Sequence, residues 1–163
     1  MLRHLVNWLL RPLPPTHFFA LRRALYRFAG VRLADGVRFC GDGWVYGRGP
    51  LSVGADTWLS PGVILYTHAD AVIAIGKDCD IGPFCLFLTG GHEPGDGGRR
   101  AGLGTARPVS IGDGCWIGAR TTVLGGASIG PGCIIAAGSV VTGNIPAHSL
   151  AAGVPARVKR ALA

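Results

Sequence analysis

The sequence predicts an all-β solenoid with a triangular cross-section. Large aliphatic residues recur every six positions, small residues recur in a second slot of the same period, and 27 of the 163 residues are glycine. A helix repeats its buried face every 3.6 residues and a strand every two, so neither alone explains a period of six. The period is most regular from residue 111 to 141, at these positions: Ile111, Ile117, Val123, Ile129, Ile135 and Val141.

Each six-residue unit is interpreted as a short strand followed by a corner. The residue two positions before each large one also faces inward, and it is nearly always small: Thr57, Val63, Cys79, Cys85, Cys115, Thr121, Ala127, Cys133 and Ser139. The position directly after each large residue is often glycine, for which we expect the positive φ of a tight corner. Three units close one coil, and roughly five coils stacked about 4.8 Å apart form a prism.

The N-terminal 32 residues lack this period and are predicted to form an amphipathic helical cap, which leaves residues 33–163 for the solenoid. The apolar residues of a first helix fit one face: Leu2, Leu5, Val6, Leu9 and Leu10. Thr16 is the predicted N-cap of a second helix that ends at Gly30. Its apolar side carries Phe18, Leu21, Leu25 and Phe28, with Arg22, Arg23 and Arg27 elsewhere.

Charge is concentrated in the same segment. Residues 1–32 contain six arginines and no acidic residue, whereas the remainder has ten basic and nine acidic residues. The nearly neutral repeats argue against nucleic acid as a partner. Packing of the helices on the first coil is the favoured interpretation, and peripheral membrane contact through residues 1–30 is the alternative.

The five cysteines form no CxxC pair, which argues against a disulfide framework or a structural zinc site and favours a reducing cytoplasm. Four of them occupy the small inward slot, where a buried cysteine behaves as a small hydrophobic residue.

The repeat is interrupted between about residues 89 and 108, by the sequence TGGHEPGDGGRRAGLGTARP. This segment is too long for one side of a coil, so we expect it to extrude as a loop, and long loops in compact folds are usually functional. His92 lies near its start. Imidazole titrates near neutral pH, which suits a general base.

The stretches IGDGCWIG, IGPGCIIAAGSVVTGNIP and GVPARVKR resemble the hexapeptide-repeat acyltransferases. The sequence is most similar to the galactoside- and maltose-type sugar O-acetyltransferases and to relatives in polysaccharide biosynthesis. This resemblance implies a left-handed parallel β-helix, although crossovers in general prefer the right hand. It also implies a homotrimer with its site between subunits, acetyl-CoA as donor and no metal. We further expect a short C-terminal helix.

By the same resemblance, His92 takes the proton from an acceptor hydroxyl. The residues implied in acceptor binding are Asp70, His68, Arg99 and Arg100. Those implied in coenzyme binding are Trp116, Gly118, Ala119, Ala137, Thr142, Arg157, Lys159 and Arg160. Solvated charges and plain solenoid packing remain the structural alternatives for these two sets. Gly143 and Gly62 depart from the pattern, since the sugar branch has lysine and asparagine there.

The function predicted from sequence is acetyl transfer from acetyl-CoA to a hydroxyl of a sugar or glycan precursor. An N-acetyltransferase of an amino-sugar nucleotide or another small acceptor is the nearest alternative. A zinc-dependent carbonic anhydrase needs three histidines across a subunit interface, and His92 is the only histidine in its loop. A catalytically inactive trimeric scaffold is the last alternative. We expect a cytoplasmic protein, and the basic helices leave the inner membrane surface as an option.

Overall fold

The computed structural model describes residues 1–163 as a parallel β-solenoid preceded by two short helices. The helices are Leu2–Leu10 (α1) and Phe19–Phe28 (α2). The strands are Arg32–Leu33 (β1), Arg38–Phe39 (β2), Trp44–Tyr46 (β3), Leu51–Val53 (β4), Trp58–Leu59 (β5), Ile64–Tyr66 (β6), Ile73–Ile75 (β7), Asp80–Ile81 (β8), Leu86–Leu88 (β9), Gly90–Pro94 (β10), Ala101–Ala106 (β11), Val109–Ile111 (β12), Trp116–Ile117 (β13), Thr122–Val123 (β14), Ser128–Ile129 (β15), Ile134–Ile135 (β16), Val140–Val141 (β17), Asn144–Ile145 (β18), Ser149–Gly153 (β19) and Ala156–Ala161 (β20).

Three parallel sheets form the sides of the prism. The first side is β1-β4-β7-β12-β15-β18, the second is β2-β5-β8-β13-β16-β19, and the third is β3-β6-β9-β14-β17. Five coils are complete and a sixth has two sides, so the prediction of about five coils was one short. The last coil is hard to see in the sequence because its first inward residue, Ile145, follows Val141 after four positions instead of six, and its second, Ala151, is small.

The core confirms the inward positions predicted from the period. Ile117, Val123 and Ile135 are fully buried. The small residues Thr121 and Cys133, two positions before Val123 and Ile135, are fully buried as well. Fully burying one large aliphatic side chain contributes about 1.5–3 kcal/mol, so a repeated column of them stabilises the coils.

The glycine that follows each large inward residue is not there for the reason predicted from the sequence. The glycine after each large residue, such as Gly118, has no positive φ. Instead, a Cβ built on Gly118 would lie 2.5 Å from the Ala137 backbone nitrogen of the next coil, so close stacking excludes a side chain. The positive φ falls two residues later, for example at Arg120 (58°) and Gly138 (72°).

The interruption at 89–108 is extruded from the prism, as expected. It forms an antiparallel hairpin in which β10 pairs with β11, and Gly91 lies opposite Thr105. Its strand residues are mostly exposed, so they make little contribution to the core.

The C-terminus contradicts the predicted short helix. Residues 149–161 form an antiparallel hairpin, in which β20 pairs with β19 and extends the second side. Gly153 turns the chain with a φ of 110°. Ala151 and Ala156 are buried on the hairpin's inner side, and the extended backbone gives them that position without the wider apolar stripe that a helix would need.

The two helices pack on the first coil through the apolar residues Val6, Leu10 and Tyr26 and also through polar side chains. Asn7 donates its amide N–H to the Val45 carbonyl and accepts a bond from the Val45 N–H, as a neighbouring strand would. Arg23 and Arg27 donate to first-coil carbonyls at 2.9 and 2.7 Å. Arg3 donates to the Ala29 carbonyl just after α2 and to the Gly49 carbonyl in the corner after β3. These bonds satisfy the open backbone edge of the first coil.

Most of the predicted apolar side of α2 faces away from the solenoid, since Phe18, Leu21 and Phe28 are exposed and only Leu25 packs against the core, which largely reverses the packing direction expected for a helical cap. Arg22 is buried and donates to the carbonyls of His17, Leu13 and Pro14, whereas Phe28 is 75% exposed. Helix α2 also starts after Phe18 rather than at a Thr16 cap, and Phe18 makes no side-chain cap bond. The reversal arises because carbonyls of the interhelical linker, next to Arg22, and of the first coil, next to Arg23 and Arg27, need donors, which arginine supplies and leucine cannot.

Neither helix has the length and the apolar composition needed to cross a bilayer.

Candidate active site

The hairpin β10–β11 leaves the prism at the edge between the third and first sides, and it carries His92. The imidazole is exposed, and its Nδ1 lies 3.1 Å from the Gly102 carbonyl oxygen on the opposite strand. A carbonyl oxygen only accepts, so Nδ1 holds the ring proton and Nε2 keeps its lone pair. This arrangement leaves Nε2 able to accept a proton from a bound group.

A cavity of about 340 Å³ lies at the base of the hairpin. It is lined by His92, Glu93, Thr105 and Arg107 of the hairpin, together with backbone of Thr89–Gly91 and the corner at Leu124 and Gly125. Arg107 donates to the Glu93 carboxylate at 3.0 Å, and both side chains are solvent-exposed. This ion pair braces the two strands beside the histidine, while exposure keeps its energy small.

His68 and Asp70 lie on the same edge, one coil below the hairpin. The His68 N–H donates to the Thr89 hydroxyl at 2.7 Å, which ties this corner to the base of the hairpin. The Asp70 N–H donates to His68 Nδ1 at 3.3 Å, while the Asp70 carboxylate lies 3.5 Å from the same nitrogen. Asp70 is exposed and free to accept bonds from a ligand.

Arg99 and Arg100 lie at the tip of the hairpin, at the end distant from the prism wall. The Arg99 N–H donates to the Asp96 carboxylate, and the Arg100 carbonyl accepts from Gly95. Neither guanidinium forms a hydrogen bond or an ion pair within the chain. Both cations are therefore available to an external anion.

Four of the residues implied in coenzyme binding lie elsewhere in the chain, on the second side and at its edge with the third. Trp116 points outward from β13 and is 58% exposed. Gly118 and Ala119 form the corner after β13, and Ala137 stacks on them in the next coil. The Ala119 N–H donates to no acceptor within the chain, so the corner presents a free backbone donor.

The remaining coenzyme residues divide between two places. Thr142 follows β17 at the edge between the third and first sides, above the hairpin's cavity. Arg157, Lys159 and Arg160 are exposed on β20, on the second side. One chain therefore does not bring His92 together with Ala119, because the width of the third side separates their edges.

A slot on the second side was not predicted from the sequence. Trp58, Asp80 and Trp116 are register neighbours on three successive coils, and their side chains point outward. They line a cavity of about 370 Å³ with Ser60, Gly82 and Pro83. Two indoles flanking one carboxylate offer both a stacking surface and a hydrogen-bond acceptor. The available signal was a tryptophan directly before two large inward residues, a position that faces solvent.

No group of three His, Cys, Asp or Glu side chains in the chain is arranged to hold a metal ion.

Comparison with known families identifies the repeat. Residues 108–143 match the bacterial transferase hexapeptide family, described as six repeats. Residues 108–143 are thus a hexapeptide repeat. The matched stretch covers β12–β17 and the corner with Gly118 and Ala119, so it includes the walls of the second site region but not the hairpin with His92.

Curated relatives of this chain include proteins named as acetyltransferases. Nodulation protein L of Rhizobium meliloti is 39% identical over 109 residues, which are 67% of this chain and 58% of that protein. A putative acetyltransferase of Staphylococcus aureus is 46% identical over 108 residues, covering 54% of each chain. The matched part of the chain thus spans little more than half the length of these relatives.

Solved structures support the same fold across nearly the whole chain. A hexapeptide-repeat acetyltransferase of Vibrio cholerae in complex with acetyl-coenzyme A superposes with a TM-score of 0.78 at 25% identity, covering 99% of this chain and 85% of that one. A galactoside acetyltransferase in complex with coenzyme A gives 0.84 at 23% identity, covering 98% and 78%. The left-handed coil predicted from the resemblance is consistent with these structures.

Proposed function

We propose that this protein is an acetyl-CoA-dependent O-acetyltransferase whose acceptor is a hydroxyl of a sugar or glycan precursor. The observation that carries the proposal is the orientation of His92, whose Nδ1–H is engaged by the Gly102 carbonyl while Nε2 is free beside a cavity. Relatives named as acetyltransferases and structural neighbours with bound coenzyme A support the reaction class.

In the proposed mechanism, His92 Nε2 removes the proton from the acceptor hydroxyl as its oxygen attacks the thioester carbonyl carbon. The C–O bond forms, and the carbonyl π electrons move onto oxygen to give a tetrahedral oxyanion. The Ala119 N–H, which has no partner within the chain, donates to that oxyanion. The C–S bond then breaks, and the imidazolium returns its proton to the departing thiolate.

The separation of His92 from Ala119 supports a site shared between subunits. In a homotrimer with parallel prism axes, the hairpin edge of one protomer faces the Ala119 edge of its neighbour. Trp116, Gly118, Ala137 and the β20 cations would hold the coenzyme on one side of that groove. His68, Asp70, Arg99 and Arg100 would bind the acceptor from the other.

The proposal includes a cytoplasmic location, where acetyl-CoA is available as donor. It also includes an acceptor with several hydroxyls, because Asp70 offers an exposed carboxylate at the prism edge and Arg99 offers an unpaired cation at the tip of the hairpin. A glycan precursor supplies hydroxyl donors for the first and, when it carries phosphate or carboxylate, an anion for the second.

The test is thiol release from acetyl-CoA by the full-length protein with a panel of sugars, amino-sugar nucleotides and glycan precursors. We expect turnover with a hydroxyl acceptor, a drop in kcat of at least about 100-fold in His92→Ala, and no change in the matched variant His17→Ala. His17 is an exposed histidine outside the solenoid.

Other outcomes of this panel identify other functions. Turnover restricted to amino sugars would replace the proposal by an N-acetyltransferase. Turnover with a hydroxyl acceptor that His92→Ala leaves unchanged would refute the assigned base. No turnover with any member, together with no binding of coenzyme A, would favour an inactive scaffold.

A further inference from the structure

The outer side of the two N-terminal helices is an apolar surface that the chain leaves largely uncovered, although Trp8 packs edge-to-face on Trp44. Its six main residues are between 42% and 75% exposed, and we call them the outer face: Leu2, Leu5, Trp8, Leu9, Leu21 and Phe28. In α1, residues 2, 5 and 9 lie on one stripe, about a quarter turn around the helix from the buried Val6 and Leu10. Large exposed residues grouped in this way indicate a contact surface rather than scattered exposure.

The helices lie side by side and antiparallel, so their outer residues belong to one end of the molecule. Arg3 near the start of α1 donates to the carbonyls of Ala29 and Gly30 just after α2. Tyr26 of α2 donates its hydroxyl to the Asn7 side chain of α1. The burial of Tyr26 raises the pKa of its phenol, as expected for a group enclosed between the helices and the first coil.

The same end of the molecule is strongly basic. Residues 1–50 contain eight arginines and two aspartates, whereas the remaining 113 residues contain eight basic and seven acidic residues. Arg11, Arg32, Arg38 and Arg48 are exposed, while Asp35 is paired with Arg27 at 2.8 Å. Arg11 at Trp8 and Arg48 near Leu2 therefore border the outer face, and Arg32 and Arg38 project from β1 and β2 of the adjoining first coil.

We propose that the outer face docks on the surface of an anionic lipid bilayer. Apolar side chains bordered by arginine match the two layers of such a surface, the acyl boundary and the phosphate groups. Arg11 lies 5.2 Å over the ring of Trp8, which pairs an indole suited to the interface with a phosphate-binding cation.

The geometry favours lying on the surface over crossing it. Helices of nine and ten residues are about 15 Å long, roughly half the thickness of the hydrocarbon core. A second copy of this chain fits less well, because a symmetric contact would bring the exposed arginines of both copies together without acidic partners.

Docking would set the height of the catalytic edge. The hairpin with His92 leaves the third coil, two coil spacings or about 10 Å above the first coil. If the proposed transferase reaction holds, that height suits an acceptor sugar carried on a lipid. Docking itself does not depend on the reaction, so the two can fail separately.

The experiment is co-sedimentation of the full-length protein with phosphatidylcholine vesicles, with and without phosphatidylglycerol. We expect binding to the anionic vesicles, weakening as salt is raised, and little binding to phosphatidylcholine alone. The double variant Leu5→Gln, Leu9→Gln should lose at least about tenfold in vesicle affinity. The control double variant Leu103→Gln, Val154→Gln changes two residues that are 80% and 72% exposed far from the outer face, and it should bind as the unchanged protein does.

Thermal unfolding of each variant checks that the fold is retained, which the exposure of all four residues favours. Absence of binding to anionic vesicles would overturn the proposal, as would equal binding by the two double variants. A concentration-dependent association of the protein that Leu5→Gln, Leu9→Gln abolishes, without vesicle binding, would instead assign the outer face to contact between copies.

Discussion

The solenoid and the N-terminal helices bury different mixtures of side chains. Within the coils, the large inward position is always apolar, and Ile117 and Ile135 are fully buried. The helices bury Val6, Leu10 and Tyr26 in the same core, but they also bury Arg3, Asn7 and Arg22 while leaving Leu5, Leu9 and Leu21 exposed. The difference teaches that the neighbour decides what is buried, since a coil interior offers apolar side chains, whereas the coil edge and the interhelical linker offer carbonyls that need donors.

The largest expected effect tests the apolar half of this comparison. Ile117→Ala should lower the free energy of unfolding by about 2–5 kcal/mol, because it leaves a cavity between stacked coils. Leu5→Ala on the outer face should change it by less than about 0.5 kcal/mol. Denaturant unfolding followed by circular dichroism measures both, and comparable losses in the two variants would contradict the assigned orientation of α1.

Burial of the small inward slot can be tested by pH. Burial raises the pKa of the Cys85 thiol to about 11, against an ordinary value near 9. Between these values the unfolded chain loses the proton and the folded one keeps it, so stability present below pH 9 is lost as pH rises toward 11. The thiol should account for about 2–3 kcal/mol of that loss.

The corresponding measurement compares Cys85→Ala with the unchanged protein by denaturant unfolding at pH 8.5 and at about pH 11. The variant should lose less stability over this interval. Identical losses would mean that Cys85 is reached by solvent.

The polar half of the comparison is tested by Arg22→Leu. An apolar replacement would stabilise an ordinary buried helix face. Here it leaves three carbonyls, which now accept hydrogen bonds from Arg22, without a donor. We expect a loss of about 1–3 kcal/mol, measured by denaturant unfolding. Unchanged or increased stability would show that the arginine is incidental to the packing of the helices.

The smallest expected difference concerns corner glycines. Gly118→Ala should cost about 1–3 kcal/mol, since its Cβ would press on the next coil at 2.5 Å from the Ala137 nitrogen. Gly143→Ala is the matched control, because no atom lies within 4 Å of its Cβ position. Equal melting temperatures for the two variants would remove close stacking as the reason for glycine at 118.

The solenoid was predictable because one strict periodicity determines its inward positions, and every residue of the 111–141 series is buried as expected. The C-terminal hairpin was not, because Ala151 and Ala156 are too few to distinguish a strand from a helix by pattern. The left-handed backbone conformation three residues after each large inward residue was also not predicted. Glycine would have indicated it, but Asp56 and Arg120 occupy two of these positions.

The candidate site was predictable in part for a physical reason. His92 and Asp70 lie on one edge, which their positions at successive interruptions of the third side indicated. Ala119 lies on another edge, and its relation to His92 depends on a neighbouring chain that no single sequence describes. The slot at Trp58 and Asp80 depends on the register between coils, which the six-residue period alone does not give, because extra residues between Tyr66 and Ile73 lengthen the corner that separates the two.

The side chains that cap the open edge of the first coil also affect whether molecules can stack end to end. A parallel solenoid ends in an open strand edge that can template another chain, and stacking of such ends produces fibres. Here the carbonyls of Leu33, Val37 and Val45 already accept side-chain donors. An incoming strand would have to displace Asn7 and the arginines first, so the lower end terminates the stack and the prism stays a discrete particle.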